Sequence, residues 1–166
     1  MSATLLRLPP ILSAAAGILS ADMTIHSICT GNIYRSRLAE AYCASKGVPG
    51  LCVSSSGIGT KLNRGVPIAP YAARVLSERG LERFAAPSWQ QTTAALVRAS
   101  DVLVFMEREH YNFCKDWLDP VRQTVEIWEI SDVGPVDAAQ VMTKVEQTFE
   151  MIKQRTDTLL TTLGFL

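Results

Sequence analysis

The stretch Cys29-Thr30-Gly31-Asn32-Ile33-Tyr34-Arg35-Ser36 decides how this chain is built. An apolar run, Thr24 to Ile28, precedes it, and a helix-like run from Arg37 to Ser45 follows. A strand, a tight loop and a helix start bring unpaired backbone N–H groups and a positive helix end to one point, which makes an anion cradle. This cradle opens with a thiol and closes with an arginine, Cys-x5-Arg. A thiol in such a field is favoured as its thiolate, the form that attacks the central atom of an oxyanion. The planar fork of Arg35 suits two of the oxyanion's oxygens. No Gly-Lys-Ser/Thr follows, which excludes a nucleotide-binding loop.

Outward from the loop, four apolar runs read as strands: Thr24–Ile28, Leu51–Ser55, Val102–Met106 and Thr124–Ile130. Helical patterns lie between them, at about Ser36–Lys46, Pro70–Gly80 and Gln91–Ala99, with a short one after Met106. In the last segment Val141, Val145, Phe149, Ile152, Thr156, Leu159 and Leu163 recur at spacings of three and four, a stripe that packs on a sheet. Strands alternating with helices imply a four-stranded parallel sheet with right-handed crossovers and helices on both faces. Ligands of such sheets sit outside the carboxyl ends of the strands, where the Cys29 loop falls.

At 166 residues the chain fits one domain with a real core. Sixteen basic and sixteen acidic side chains cancel, so no global field recruits nucleic acid or an anionic membrane, and anion binding is a local matter. The four cysteines form no CxxC pair and no metal spacing with His26 and His110. They read as reduced thiols of a cytoplasmic protein, with Cys43 and Cys52 as small buried hydrophobes.

Residues 1–22 read as an N-terminal extension, either disordered or the product of a start misplaced upstream of Met23, and residues 23–166 as the domain. Pro9-Pro10 sit badly in front of the apolar stretch for a signal peptide. Ile11 to Ala21 is also short of the roughly 20 residues that cross a bilayer.

The segment from Ile28 to Ala41 resembles the low-molecular-weight protein tyrosine phosphatases, whose signature is Cys-x-Gly-Asn-x-x-Arg-Ser followed by Ala-Glu-Ala. Ser55-Ser56-Gly57 matches the family's second-strand Ser-Ala-Gly, and Leu96 to Met106 is similar to its helix-into-third-strand segment. The resemblance implies a three-layer, flavodoxin-like α/β fold. It also implies hydrolysis of phosphotyrosine, or other aryl phosphate monoesters, through a phosphocysteine, without metal or cofactor. The implied partner is a phosphotyrosine-containing protein, met by a cytoplasmic monomer or weak dimer. Carried over, Cys29 is the nucleophile and Arg35 binds the phosphoryl oxygens. Thr30, Gly31, Ile33 and Tyr34 complete the phosphate loop. Asn32 holds that loop in its unusual backbone conformation, helped by Ser55, and Ser36 donates its hydroxyl to the thiolate.

The general acid of the family is an Asp-Pro after the last strand. Asp132 occupies that position, with Val133 where proline is usual. Proline fixes φ, so its loss is expected to loosen the loop. Asp119-Pro120 precedes the strand and reads as a turn, and Asp137 reads as an N-cap or first-turn acid. The aromatic residues usual after the Asp-Pro are missing, and the segment from Ile58 to Arg64 has none either.

Tyr34 stands where many family members carry a cysteine that protects the nucleophile from overoxidation. It either lines the pocket or packs beneath the loop. Arg37 replaces a common proline, and either strengthens the field or is a solvated first-turn residue. Ile33 favours an aryl ring, because the related protein arginine phosphatases tend to carry threonine at that place. Arsenate reduction on the same fold is the alternative from another class, and a weakly active phosphate-binding relative is a third.

Overall fold

The computed structural model describes residues 22–166, so the N-terminal extension, apart from Asp22, lies outside the described residues. Four strands, β1 (Met23–Cys29), β2 (Leu51–Gly57), β3 (Val102–Phe105) and β4 (Thr124–Ile127), form one sheet in the order β2-β1-β3-β4. Every pairing is parallel, with Cys29 opposite Gly57 and Ile28 opposite Phe105. Helices α1 (Arg35–Ser45), α2 (Pro70–Glu78), α3 (Ala94–Ala99), α4 (Arg108–Cys114) and α5 (Ala138–Thr162) supply the crossovers and the closing helix.

Alternation along the strands separates two cores. Ile25, Val102, Val104 and Met106 pack with Leu38 of α1 and with Val145, Phe149 and Ile152 of α5. On the opposite face Ile28, Leu103 and Phe105 meet Val97 of α3 and Cys114 of α4. Side chains two apart share a face, so a helix layer covers each side. The α/β sandwich expected from the sequence is the one observed. The stripe of α5 is buried at Val145, Phe149, Ile152, Thr156 and Leu159, as its spacing requires.

Three local readings change. Strand β4 ends at Ile127 instead of Ile130, because Glu129 turns into the left-handed region (φ 53°). The chain nevertheless stays on β3, with Trp128 N donating to Phe105 O and Ile130 N to Met106 O. Helix α3 starts at Ala94, because Gln91 pairs with Gly57 beside the end of β2 and the Thr93 hydroxyl caps Leu96 N at 3.3 Å. Cys52 is exposed, not buried: it lies on an edge strand, whereas Cys43 and Cys114 are enclosed.

Beneath the sheet, His26 of β1 is fully buried. Its ring nitrogens each lie 2.7 Å from a hydroxyl, Nδ1 from Ser54 and Nε2 from Ser56, and Ser56 passes on to Thr92 at 2.7 Å. Burial lowers the histidine from its ordinary 6.5 to about 4. The unfolded chain therefore takes up this proton near pH 6.5 and the native chain only near pH 4, so acidification across that window favours unfolding. Stability from this group is complete above the unfolded value and falls as pH drops, by on the order of 3 kcal/mol. Urea unfolding in that window is expected to show this loss in the wild type and a smaller one in His26→Gln.

Candidate active site

The Cys29 loop leaves the carboxyl end of the central strand β1 and turns directly into α1. Asn32 makes the turn possible by adopting φ 55°, a left-handed conformation that asparagine tolerates better than most residues. Its side chain then fixes the loop from beneath. Asn32 Nδ2 donates to Ser36 Oγ (2.9 Å) and Ser55 Oγ (2.8 Å), and Asn32 Oδ1 accepts from Gln90 N (2.9 Å). Among the described residues, the N–H groups of Gly31, Ile33, Tyr34, Arg35 and Ser36 have no acceptor. Five backbone donors in one turn at a helix start are what an oxyanion needs.

The thiol sits inside this turn. Cys29 Sγ is 3.0 Å from Ser36 Oγ and accepts from Asn32 N at 3.2 Å. Cys29, Thr30, Gly31, Ile33, Tyr34 and Arg35 line a pocket of about 230 Å³, closed by Asn63, Leu62, Tyr71 and Asp132. Asn32, Ser36 and Ser55 lie below it as supports. Cys29, Arg35 and Asp132 thus share one pocket with the loop residues that the sequence singles out.

Arg35 is buried and already partnered. Its Nη1 donates to Ile130 O at 2.8 Å and to Glu107 Oε2, and its Nη2 lies 3.3 Å from Asp132 Oδ2. Glu107 opens α4 in a reciprocal capping arrangement with His110, whose Nδ1 accepts from Glu107 N at 3.0 Å. That bond leaves the ring hydrogen on Nε2, which donates to Thr30 Oγ1 at 3.0 Å. Burial and the nearby Arg35 charge lower His110 to about 4, so it is neutral near pH 7. Glu107 and His110 were not singled out in the sequence. Their signal is the x-x spacing of a cap directly after a strand at whose end ligands bind.

Asp132 reaches the pocket and is more than half exposed. The expected looseness from losing proline is not what the loop displays. Val133 is buried, its N–H donates to Asp132 Oδ1 at 2.8 Å, and its carbonyl accepts from Lys144 Nζ at 3.1 Å. Proline has no N–H and cannot make the first of these bonds. Asp119 stands at the amino end of β4, away from the pocket, where its Oδ1 accepts from Val121 N and Arg122 N. Asp137 occupies the N-cap position of α5 without a side-chain cap bond and does not line the pocket.

Two open readings are decided. Tyr34 both lines the pocket and packs under the loop. It is buried, edge-on to Tyr71 with centroids 5.0 Å apart, and its hydroxyl faces Thr148 outside hydrogen-bond geometry. Arg37 is not solvated: it is buried and paired with Glu40. Among the described residues no group of three or more His, Cys, Asp or Glu side chains is placed to hold a metal, and no helix is long and apolar enough to cross a membrane.

A sequence profile for the low molecular weight phosphotyrosine protein phosphatases matches residues 24–164. The chain belongs to this family. No curated protein matches it significantly. Solved phosphatases share the fold. Wzb of Vibrio vulnificus, in complex with benzylphosphonate, is 22% identical with a TM-score of 0.68, over 85% of this chain and 99% of that one. A YwlE mutant of Bacillus subtilis is 22% identical with a TM-score of 0.62, over 82% and 98%, and a structure described as YwlE arginine phosphatase is 22% identical with a TM-score of 0.61, over 82% and 95%. A thioredoxin-dependent arsenate reductase of Corynebacterium glutamicum is 22% identical with a TM-score of 0.63, over 89% and 64%. At such identities the likeness fixes the architecture and leaves the substrate to the site.

In this family member Gly57 lies directly beneath the phosphate loop. A Cβ there would stand 2.6 Å from Thr30 O and 2.7 Å from Asn32 N. Both obstacles are backbone, so the loop itself must move. Gly57→Ala is expected to cost about 1–3 kcal/mol in chemical denaturation and to weaken inorganic phosphate binding in calorimetry. Unchanged phosphate affinity would show that the loop does not depend on this contact.

Proposed function

We propose that the chain is a protein tyrosine phosphatase acting through a phosphocysteine. The observation that carries this reading is one pocket containing a thiol 3.0 Å from the Ser36 hydroxyl, the Arg35 guanidinium and the Asp132 carboxyl. Cys29 attacks phosphorus: an S–P bond forms and the bond to the leaving oxygen breaks. Asp132, protonated for this step, gives its proton to that oxygen. Water then attacks phosphorus as Asp132 takes a proton back, the S–P bond breaks, and inorganic phosphate leaves. Ser36 donates to the sulfur as it regains its charge. The five free N–H groups and Arg35 stabilise the transferring phosphoryl group.

Aryl specificity rests on the walls. Ile33 and Leu62 are apolar, and Tyr71, from the first turn of α2, supplies the aromatic ring that the segments after Gly57 and Asp132 lack. Tyr34 packs edge-on behind it and holds its plane. An apolar and aromatic wall suits an aryl ring, so it favours phosphotyrosine over phosphoarginine. Thioredoxin-coupled arsenate reduction needs further accessible thiols near the nucleophile; Cys43 and Cys114 are both buried, and exposed Cys52 lies opposite Thr24, at the other end of the strands from Cys29. The absence of a neighbouring thiol at Tyr34 also leaves oxidised Cys29 without a local disulfide partner.

Hydrolysis of p-nitrophenyl phosphate tests the reading, with arsenate reduction in the presence of thioredoxin run alongside. Cys29→Ser is expected to be inactive, and Asp132→Ala to lose about 10²–10⁴-fold in kcat. Wild-type protein that reduces arsenate and hydrolyses no ester overturns the proposal. For the wall, Tyr71→Ala is expected to raise KM for aryl esters about three- to tenfold, whereas Tyr71→Phe leaves it near wild type. Equal effects on aryl and alkyl phosphates would remove Tyr71 from the specificity argument.

A further inference from the structure

A cavity of about 420 Å³ lies between α4 and the edge strand β4, and it shares no residue with the Cys29 pocket. Tyr111, Leu118, Val125 and Ile127 give it an apolar floor, and the exposed Arg108 and Lys115 stand at its rim. No carboxylate lines it. Arg108 has one acidic neighbour, Glu129, at 3.8 Å; both side chains are more than half exposed, so that pair holds the guanidinium weakly. Among the described residues Lys115 forms no ion pair.

The strand order leaves the outer side of β4 unpaired. On its inner side Thr124 N donates to Asp101 O and Trp128 N to Phe105 O, both at 2.9 Å. Backbone groups alternate along a parallel strand. Glu126 therefore also faces β3, and Val125 and Ile127 turn their N–H and C=O groups outward. The same two residues put their side chains into the cavity. Free backbone groups and an apolar wall thus belong to one strip, and these are the two features that an added strand reads. The strip is only four residues long, so it admits one short guest and discourages extended edge-to-edge pairing.

Spacing sets the chemistry of the guest. Arg108 sits by Glu129 at the carboxyl end of β4, and Lys115 stands with Leu118 and Pro120 towards its amino end. From Arg108 to Lys115 the helix advances about 10 Å. A strand covers that length in about three to four residues, and its side chains share a face at every second residue. Acids at i and i+4 therefore reach the two cations, and an apolar residue at i+2 lies between them over the floor. We propose that the β4 edge and its cavity bind an extended segment of a protein partner with the pattern acid-x-apolar-x-acid. The segment joins the sheet as a fifth strand: its backbone bonds Val125 and Ile127, its apolar side chain fills the cavity, and its two acids meet Arg108 and Lys115.

The test is amide NMR of the nitrogen-labelled full chain, titrated with the unphosphorylated peptide Ser-Gly-Glu-Thr-Val-Thr-Glu-Gly-Ser. Saturable shifts of the Val125 and Ile127 amides are expected, with smaller ones at Thr124 and Trp128, whose N–H groups already bond the β3 side. Ser-Gly-Thr-Glu-Val-Glu-Thr-Gly-Ser has the same composition but turns its acids to the face opposite its valine, and it is expected to bind more weakly. Lys115→Glu, at an exposed position outside the active site, is expected to weaken the first peptide about three- to tenfold and to leave p-nitrophenyl phosphate hydrolysis unchanged. Arg108→Glu/Lys115→Glu is expected to lose that peptide and to bind Ser-Gly-Lys-Thr-Val-Thr-Lys-Gly-Ser in its place. Binding of the first peptide that charge reversal does not weaken overturns the proposal, as does the absence of saturable shifts at Val125 and Ile127. Shifts confined to the cavity side chains would show entry without strand pairing and overturn it too. Shifts of the two amides that grow with protein concentration alone would assign the edge to a second copy of the chain instead.

Discussion

Everything at the site depends on the side-chain amide of Asn32. Its backbone accepts the left-handed conformation that folds the loop back over the thiol, and its side chain holds that conformation with three hydrogen bonds. Those bonds reach three separate parts of the chain: the start of α1, the end of β2 and the segment before α3. A loop left to itself would relax out of the strain. Tied to two crossovers and a strand, it cannot relax unless the sheet edge moves too. The array of free backbone N–H groups is thus a property of the whole carboxyl end of the sheet.

Parallel strands explain why these parts meet. Cys29, Gly57 and Met106 are the last or next positions of three adjacent strands, and Ile130 reaches the same edge from the fourth. The segments that leave these ends supply Cys29 and Arg35, loop support, Glu107 and Asp132 in turn. Arg35 draws three of them together by bonding Glu107, Ile130 O and Asp132.

Much of this was readable in the chain, for reasons that also explain what was not. The strands and α5 declare themselves by burial periodicity, which is local. The Cys29 loop declares itself because strand, turn and helix start are contiguous. Tyr71, Glu107 and His110 are local to nothing in that motif. They arrive through crossovers dozens of residues away, and only the sheet order brings them together. Arg37 was ambiguous because a first-turn arginine has the same pattern whether it meets water or a buried glutamate. Val133 misled because a missing proline signals freedom, whereas its N–H and the Lys144 ammonium supply restraint of another kind. The early end of β4 depends on a single positive φ at Glu129, which no periodicity reports.

The contact between Arg35 and Asp132 has a consequence for how an anion enters. The cation at the floor of the pocket is shared between Glu107 and, across 3.3 Å, Asp132 at its mouth. An arriving dianion meets a guanidinium already held by two carboxylates, and it must displace Asp132 to reach it. Entry is therefore an exchange of partners. Neither uncharged esters nor cations can trigger that exchange, so the pocket selects for charge before it tests for shape.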